Sequence, residues 1–256
     1  MTIIDAIILG IVEGLTEFLP VSSTGHLILA SELLKLPSTE FMKTFEVVIQ
    51  IGAIFAVMIL YWRRLFLDKE VMKRLVVALV PALGVGYLFY ASIRRMLGAE
   101  SVVLWSLLIG GIAIILIEYF RDDGEDGKIE DLATMSYRTV FLVGLFQALA
   151  VIPGVSRAGA TIMGGLLLGF KRTAIVEFSF LLAVPTMVAA TVLDLLKNAH
   201  TFSSDDVGLL MVGLVTSFAV ALGAIKFFLR FIGTHTFVPF GVYRVALALI
   251  FFFFVL

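Results

Sequence analysis

The chain has 256 residues, 61% of them hydrophobic and only 15% charged, with a mean hydropathy of +1.09. So little polar surface cannot cover a soluble globule, and the chain reads as one integral membrane domain, 1–256. The net charge of -1 and the lack of a basic cluster interleaved with aromatics speak against nucleic-acid binding, and the absence of Cys excludes disulfides and thiolate chemistry.

The first basic residue is Lys35, so the N-terminal stretch lacks a positive leader region and no cleavable signal peptide is expected. A helix that crosses a bilayer takes about 20 apolar residues. Long continuous runs at about 41–62, 75–93, 101–120, 173–196, 207–229 and 238–256 predict six spans. A barrel would instead show short alternating segments. The runs at 1–19, 20–36, 138–152 and 155–170 are half-length and flank polar breaks at Pro20 and Pro153-Gly154. They predict two re-entrant helical hairpins. The expected fold is therefore all-α and polytopic, with six transmembrane helices and two hairpins.

The two hairpins resemble each other. Gly14-Leu15-Thr16-Glu17 leads to Pro20 and Gly144-Leu145-Phe146-Gln147 leads to Pro153; Phe45-Glu46 and Glu177-Phe178 then stand near the start of the next long run. This pattern predicts repeats at about 1–120 and 138–256, joined by an acidic loop over 121–137. With the hairpins returning to their own sides, Arg63, Arg64, Lys69, Lys73, Arg74, Arg121, Lys128, Arg138, Lys171, Arg172, Lys226 and Arg230 share one side. Lys35, Lys43, Arg94, Arg95 and Lys197 share the other. The richer side is cytoplasmic, so the repeats are expected to be inverted, with the first hairpin opening outward. The loop Asp122–Asp131 reads as a solvated turn and not a calcium loop, and Trp62 and Trp105 as interface anchors.

Chemistry concentrates in Glu13-Gly-Leu-Thr-Glu17-Phe-Leu-Pro20-Val-Ser22-Ser23-Thr24-Gly25-His26. Ionisable groups at membrane depth are costly and usually line a site. Glu13 and Glu17, four apart, can share a helix face and a divalent cation such as Mg²⁺ or Ca²⁺; the plainer reading is two carboxylates at a wet hairpin mouth. One of Ser22, Ser23 and Thr24 would suffice to cap the following helix, whose free N–H groups form an anion site that Gly25 leaves open. His26 is within reach of Ser23 as a proton carrier. In the second hairpin, Gly154, Ser156, Arg157 and Thr161 supply a glycine turn, hydroxyls and a phosphate-binding guanidinium. Arg157 could equally be the structural partner of Glu13 or Glu17. Gly164, Gly165 and Gly169 would allow close helix packing. Arg244 and Asp194 read as structural or interfacial, and His200 and His235 as loop residues.

The first motif together with Pro153-Gly-Val-Ser-Arg157-Ala-Gly-Ala-Thr161 resembles the undecaprenyl-pyrophosphate phosphatase family associated with bacitracin resistance, and the likeness runs through nearly the whole chain. Ala158 stands where that family usually has Ser. The resemblance implies Glu17, Ser23, His26 and Arg157 as catalytic, with Glu13, Ser22, Thr24, Gly25, Gly154, Ser156 and Thr161 at the substrate, and Glu13 and Glu17 on a divalent cation. It implies a polyprenyl pyrophosphate substrate hydrolysed in the bacterial inner membrane, for recycling of the cell-wall lipid carrier. A homodimer is left open. The nucleophile is Ser23, activated by Glu17 or His26, or else His26 itself. The rival class is a polyprenyl-phosphate transporter or flippase on the same repeat.

Overall fold

A computed structural model describes residues 1–89, 96, 99–121, 127–198 and 207–255, without the side chains of 192–198. Arg94, Arg95, the 122–126 part of the acidic loop and His200 lie outside these residues, as do the side chains of Asp194 and Lys197.

The elements in chain order are α1 (Ile3–Thr16), α2 (Ser23–Leu33), α3 (Glu40–Leu60), α4 (Trp62–Phe66), α5 (Lys69–Leu88), α6 (Glu100–Tyr119), α7 (Tyr137–Ala148), α8 (Arg157–Leu167), α9 (Arg172–Asn198), α10 (Val207–Ile232) and α11 (Val238–Val255). Among the described residues there is no strand; the acidic loop only returns to the end of α8 through an isolated bridge between Ile129 and Phe170. Six helices, α3, α5, α6, α9, α10 and α11, are long and apolar enough to cross a membrane. This is the expected multi-pass membrane fold. The 14 residues of α1 reach about 21 Å, short of the ~30 Å hydrocarbon layer. With α2, α7 and α8 shorter still, these four helices form two pairs rather than spans.

Two details depart from the hydropathy reading. Helix α5 begins at Lys69 rather than near 75, because Asp68 caps it by accepting from the N–H groups of Glu70 and Val71, and its first charges are paired. Arg74 binds the Glu70 carboxylate at 2.8 Å and the Met135 carbonyl at 2.8 Å. The short α4 carries Trp62, which is 48% exposed, and Trp105 on α6 is 57% exposed.

Helix α9 forms the centre: 61% of its span is buried, against 28–39% for the other five. Its Phe178, Phe180 and Leu181 join Phe18, Val57, Val143, Ile162 and Phe228 in the main core. Gly14 lets α1 approach α10, where a methyl group would lie 2.6 Å from the Ser217 carbonyl. Gly144 does the same for α7 on α5, where the Ala78 carbonyl leaves no room. Gly164 and Gly165 likewise face Phe146 and Ile175 without space for a side chain, as close packing predicts. Gly169 corrects that reading: nothing lies near it, and its φ of 86° shows that it serves to end α8.

Glu118, 1% exposed at its side chain, accepts from Arg172 Nη2 at 2.6 Å and from the Phe237 N–H at 3.0 Å, joining α6, α9 and the start of α11. Glu118→Ala removes this buried carboxylate from Arg172 and leaves the Phe237 N–H without its acceptor, and is expected to cost about 3–5 kcal/mol. A lower melting temperature in detergent, with unchanged helix content at 20 °C, is the measurable result.

Candidate active site

The turns of the two hairpins meet. Ser22 caps α2, its Oγ accepting from the Gly25 N–H at 3.4 Å, and it takes a φ of 72°, a left-handed conformation costly for a residue with a Cβ. That kink turns Ser23 back toward α1, and Ser23 Oγ donates to Glu17 Oε2 at 2.6 Å. On the other carboxylate oxygen, Oε1, Glu17 accepts from Arg157 Nη2 at 3.1 Å. Arg157 stands at the start of α8, where its Nη1 donates to the Ser179 carbonyl at 2.7 Å and its guanidinium lies 5.6 Å from the Phe18 ring centroid. Its Nε–H is buried without a partner. A serine bonded to a carboxylate, with a fixed cation behind it, is thus assembled from both hairpins.

Glu13, one turn before Glu17, is 1% exposed and neither of its oxygens has a hydrogen-bond partner. It lines a cavity of about 260 Å³ together with Ser23, Thr24, Lys43, Glu46 and Gln50. Glu17 and Arg157 lie behind Ser23, outside the lining of that cavity.

His26 is not brought to Ser23. Its Nδ1 lies 2.7 Å from the Ser22 carbonyl, which can only accept, so Nδ1 carries a proton. In the neutral ring Nε2 is then the acceptor for the Tyr243 hydroxyl at 2.7 Å, and the two rings stack at 5.5 Å. Both face a second cavity of about 580 Å³, lined by Leu15, Leu19, Val220, Phe227, Phe231 and Phe240. It is almost wholly apolar and lies between α1, α10 and α11.

The remaining predicted residues shape the turns. Gly25 packs on Leu107; Ser156 accepts from the Gly159 N–H at 3.0 Å and donates to the Leu19 carbonyl at 3.5 Å. Thr161 is fully buried and donates to the Arg157 carbonyl at 2.8 Å. Gly154 has a φ of 86° and no room for a side chain against Val103. Ala158 is fully buried in the core, where a serine hydroxyl would face apolar neighbours.

Sequence reasoning missed the role of Arg244. Only 2% exposed, it donates to four carbonyls: Ser106 at 2.7 Å, Leu107 at 3.3 Å, Gly154 at 3.3 Å and Pro20 at 3.4 Å. It pins both turns to α6, and its burial in an apolar run was the available signal. Ser179 and Tyr243 also join the site from spans that showed only helical patterning, and Glu46 and Gln50 join it from a run whose sequence speaks for the repeat and the family likeness and not for chemistry. Arg244→Leu is expected to lower turnover by about 10²-fold, because loosening either turn misplaces Ser23 against Glu17. Steady-state kinetics alongside a melting curve checks this.

The model of the family described as "Bacitracin resistance protein BacA" matches residues 6–250. The chain belongs to this family. It is 50% identical to the undecaprenyl-diphosphatase of Wolinella succinogenes over 254 residues, covering 99% of this chain and 98% of that protein. It is 50% identical to the undecaprenyl-diphosphatase of Persephonella marina over the full length of both, and 45% identical to that of Aquifex aeolicus over 98% of both. The site residues of this BacA-family chain, from Glu13 to Arg244, lie inside the matched region.

Proposed function

We propose that the chain hydrolyses undecaprenyl diphosphate, or a similar polyprenyl diphosphate, to the monophosphate and inorganic phosphate, regenerating the lipid carrier for cell-wall synthesis at the outer face of the bacterial inner membrane. The observation that carries this reading is the Ser23–Glu17 hydrogen bond with Arg157 on the second carboxylate oxygen. Relatives named undecaprenyl-diphosphatase at 45–50% identity supply the substrate class.

In the first step Ser23 Oγ bonds to the terminal phosphorus as its proton passes to Glu17. The bond from that phosphorus to the bridging oxygen breaks, and the polyprenyl monophosphate leaves with the electron pair. Water then attacks the phosphoserine; Ser23 leaves and recovers the proton from Glu17, and inorganic phosphate carries away both protons of the water. Arg157, two hydrogen bonds from Ser23 through Glu17 and with Nε–H unpartnered, places a fixed positive charge behind the base, where it offsets the negative charge that builds up during transfer. A divalent cation fits the orphaned oxygens of Glu13, and there it would neutralise phosphate charge.

The apolar groove beside His26 suits an isoprenoid tail, while the polar cavity on the other side of the α2 turn suits the diphosphate. Outward opening is supported by Lys43 and Glu40 at the start of α3, the end that the basic-residue count puts outside. An inverted repeat is supported by reciprocal packing: α1 lies on α10 at Gly14, and α7 lies on α5 at Gly144. Each first hairpin arm thus rests on the second long helix that follows the other hairpin.

Purified protein in detergent is expected to release phosphate from undecaprenyl diphosphate and to lose that activity with Arg157→Ala. Wild-type protein that releases none, yet moves the monophosphate lipid across vesicles, would replace this reading with transport.

A further inference from the structure

We propose that the divalent cation is held by Glu13, Glu46 and Gln50, and not by the Glu13–Glu17 pair. The inference rests on the phosphatase reading for its purpose, but the site is defined by the chain alone.

Both oxygens of Glu17 are already engaged. Oε2 accepts from Ser23 at 2.6 Å and Oε1 from Arg157 at 3.1 Å, and a cation there would compete with both the nucleophile and the guanidinium. Glu13 is the reverse case: it is 1% exposed, both of its oxygens are buried without a hydrogen-bond partner, and the residue lines the polar cavity. A carboxylate taken out of water without a hydrogen bond or counter-ion is expensive, so a cation is the simplest occupant of that position.

The other oxygen donors come from α3. Glu46 and Gln50 are four residues apart, on one helix face, and both line the cavity that Glu13 enters. Glu46 is, after Glu17, the acidic group whose charge acts on Glu13. Among the described residues the only ammonium lining this cavity is that of Lys43, and it is paired with Glu40 at 2.6 Å, both side chains being exposed. It therefore does not serve as counter-ion to Glu13.

Two carboxylates and an amide are a sparse ligand set. Among the described residues no three His, Cys, Asp or Glu side chains converge on one point. That suits Mg²⁺, which dehydrates reluctantly and is usually held by one or two carboxylates, completing its shell with water and substrate phosphate oxygens. All-oxygen donors also favour Mg²⁺, Ca²⁺ or Mn²⁺ over zinc. The arrangement divides labour: Ser23 and Thr24 line the same cavity, so phosphate oxygens drawn to the cation come to lie beside the nucleophile, while Glu17 stays free to take its proton. Without a cation, two carboxylates would repel the diphosphate from that space.

The test is Mn²⁺ titration of the purified full chain in detergent without substrate, reading free Mn²⁺ by electron paramagnetic resonance. One saturable site per chain is expected, displaced by Mg²⁺. Glu13→Gln and Glu46→Gln should each weaken it at least about tenfold, and Gln50→Leu by several-fold, while Glu17→Gln should leave Kd within about threefold. Each variant is first shown to elute as a single species, and a rise in wild-type melting temperature with Mg²⁺ gives a readout free of substitution. No saturable Mn²⁺ site, or an affinity lost as fully in Glu17→Gln as in Glu46→Gln, overturns the proposal. Mn²⁺ binding as described in a protein that releases no phosphate would sink the phosphatase reading and leave the site standing.

Discussion

Replacing Ser23 with alanine is expected to lower kcat by on the order of 10⁴-fold, with little change in KM. The hydroxyl is bonded to Glu17 Oε2 and lines the polar cavity, and on the proposed mechanism it is the attacking atom, so kcat is the constant that falls. The substitution should leave the fold intact: Ser22, not Ser23, supplies the cap to α2, and the turn is held separately by Arg244 on the Pro20 carbonyl. Initial rates over a range of lipid concentrations, with a melting curve as control, separate these effects. His26→Ala should cost less than Ser23→Ala, because both ring nitrogens of His26 are already committed to Ser22 and Tyr243.

The second large effect concerns Arg157. Arg157→Lys keeps a positive charge but is expected to reduce kcat/KM by about 10³-fold. The guanidinium reaches the Glu17 carboxylate, the Ser179 carbonyl and the face of Phe18 at once, and a single ammonium cannot hold all three. Its spare Nε–H is lost as well. Because Glu17 sits between Ser23 and Arg157, the effects of Glu17→Gln and Arg157→Lys should be strongly non-additive. A double-mutant cycle on kcat/KM measures this; simple additivity would mean that the two residues act independently.

These residues show how far the sequence could be read. Six long apolar runs and two polar breaks were enough for the helical membrane fold, since length against bilayer thickness leaves few alternatives. The hairpin motifs announced Glu13, Glu17, Ser23 and Arg157 because reactive groups in an apolar chain are conspicuous. Their pairing was legible only as alternatives, Ser23 with Glu17 or His26 and Arg157 with Glu13 or Glu17. That Ser23 faces Glu17 and His26 faces Tyr243 depends on the positive φ of Ser22, which a sequence of common turn residues does not reveal. Contacts such as Arg157 with Ser179 arise from helix-on-helix packing that no local pattern encodes. Nor does hydropathy locate the start of α5, where paired charges extend a helix beyond its apolar stretch.

Arg244 illustrates a different limit. A buried arginine in an apolar helix signals importance without saying for what, and only the four carbonyls it meets identify it as the pin that joins both turns. Its effect on chemistry passes through the placement of Ser23 and Glu17.

The most direct test of the central claim, that Ser23 attacks phosphorus with Glu17 as its base, is to trap the enzyme during turnover. Undecaprenyl diphosphate labelled in the terminal phosphate is mixed with purified protein, quenched in acid or alkali within milliseconds, and the labelled peptide is sequenced. The account predicts acid-stable phosphoserine at Ser23, absent in Glu17→Gln. Acid-labile phosphohistidine at His26 would contradict it.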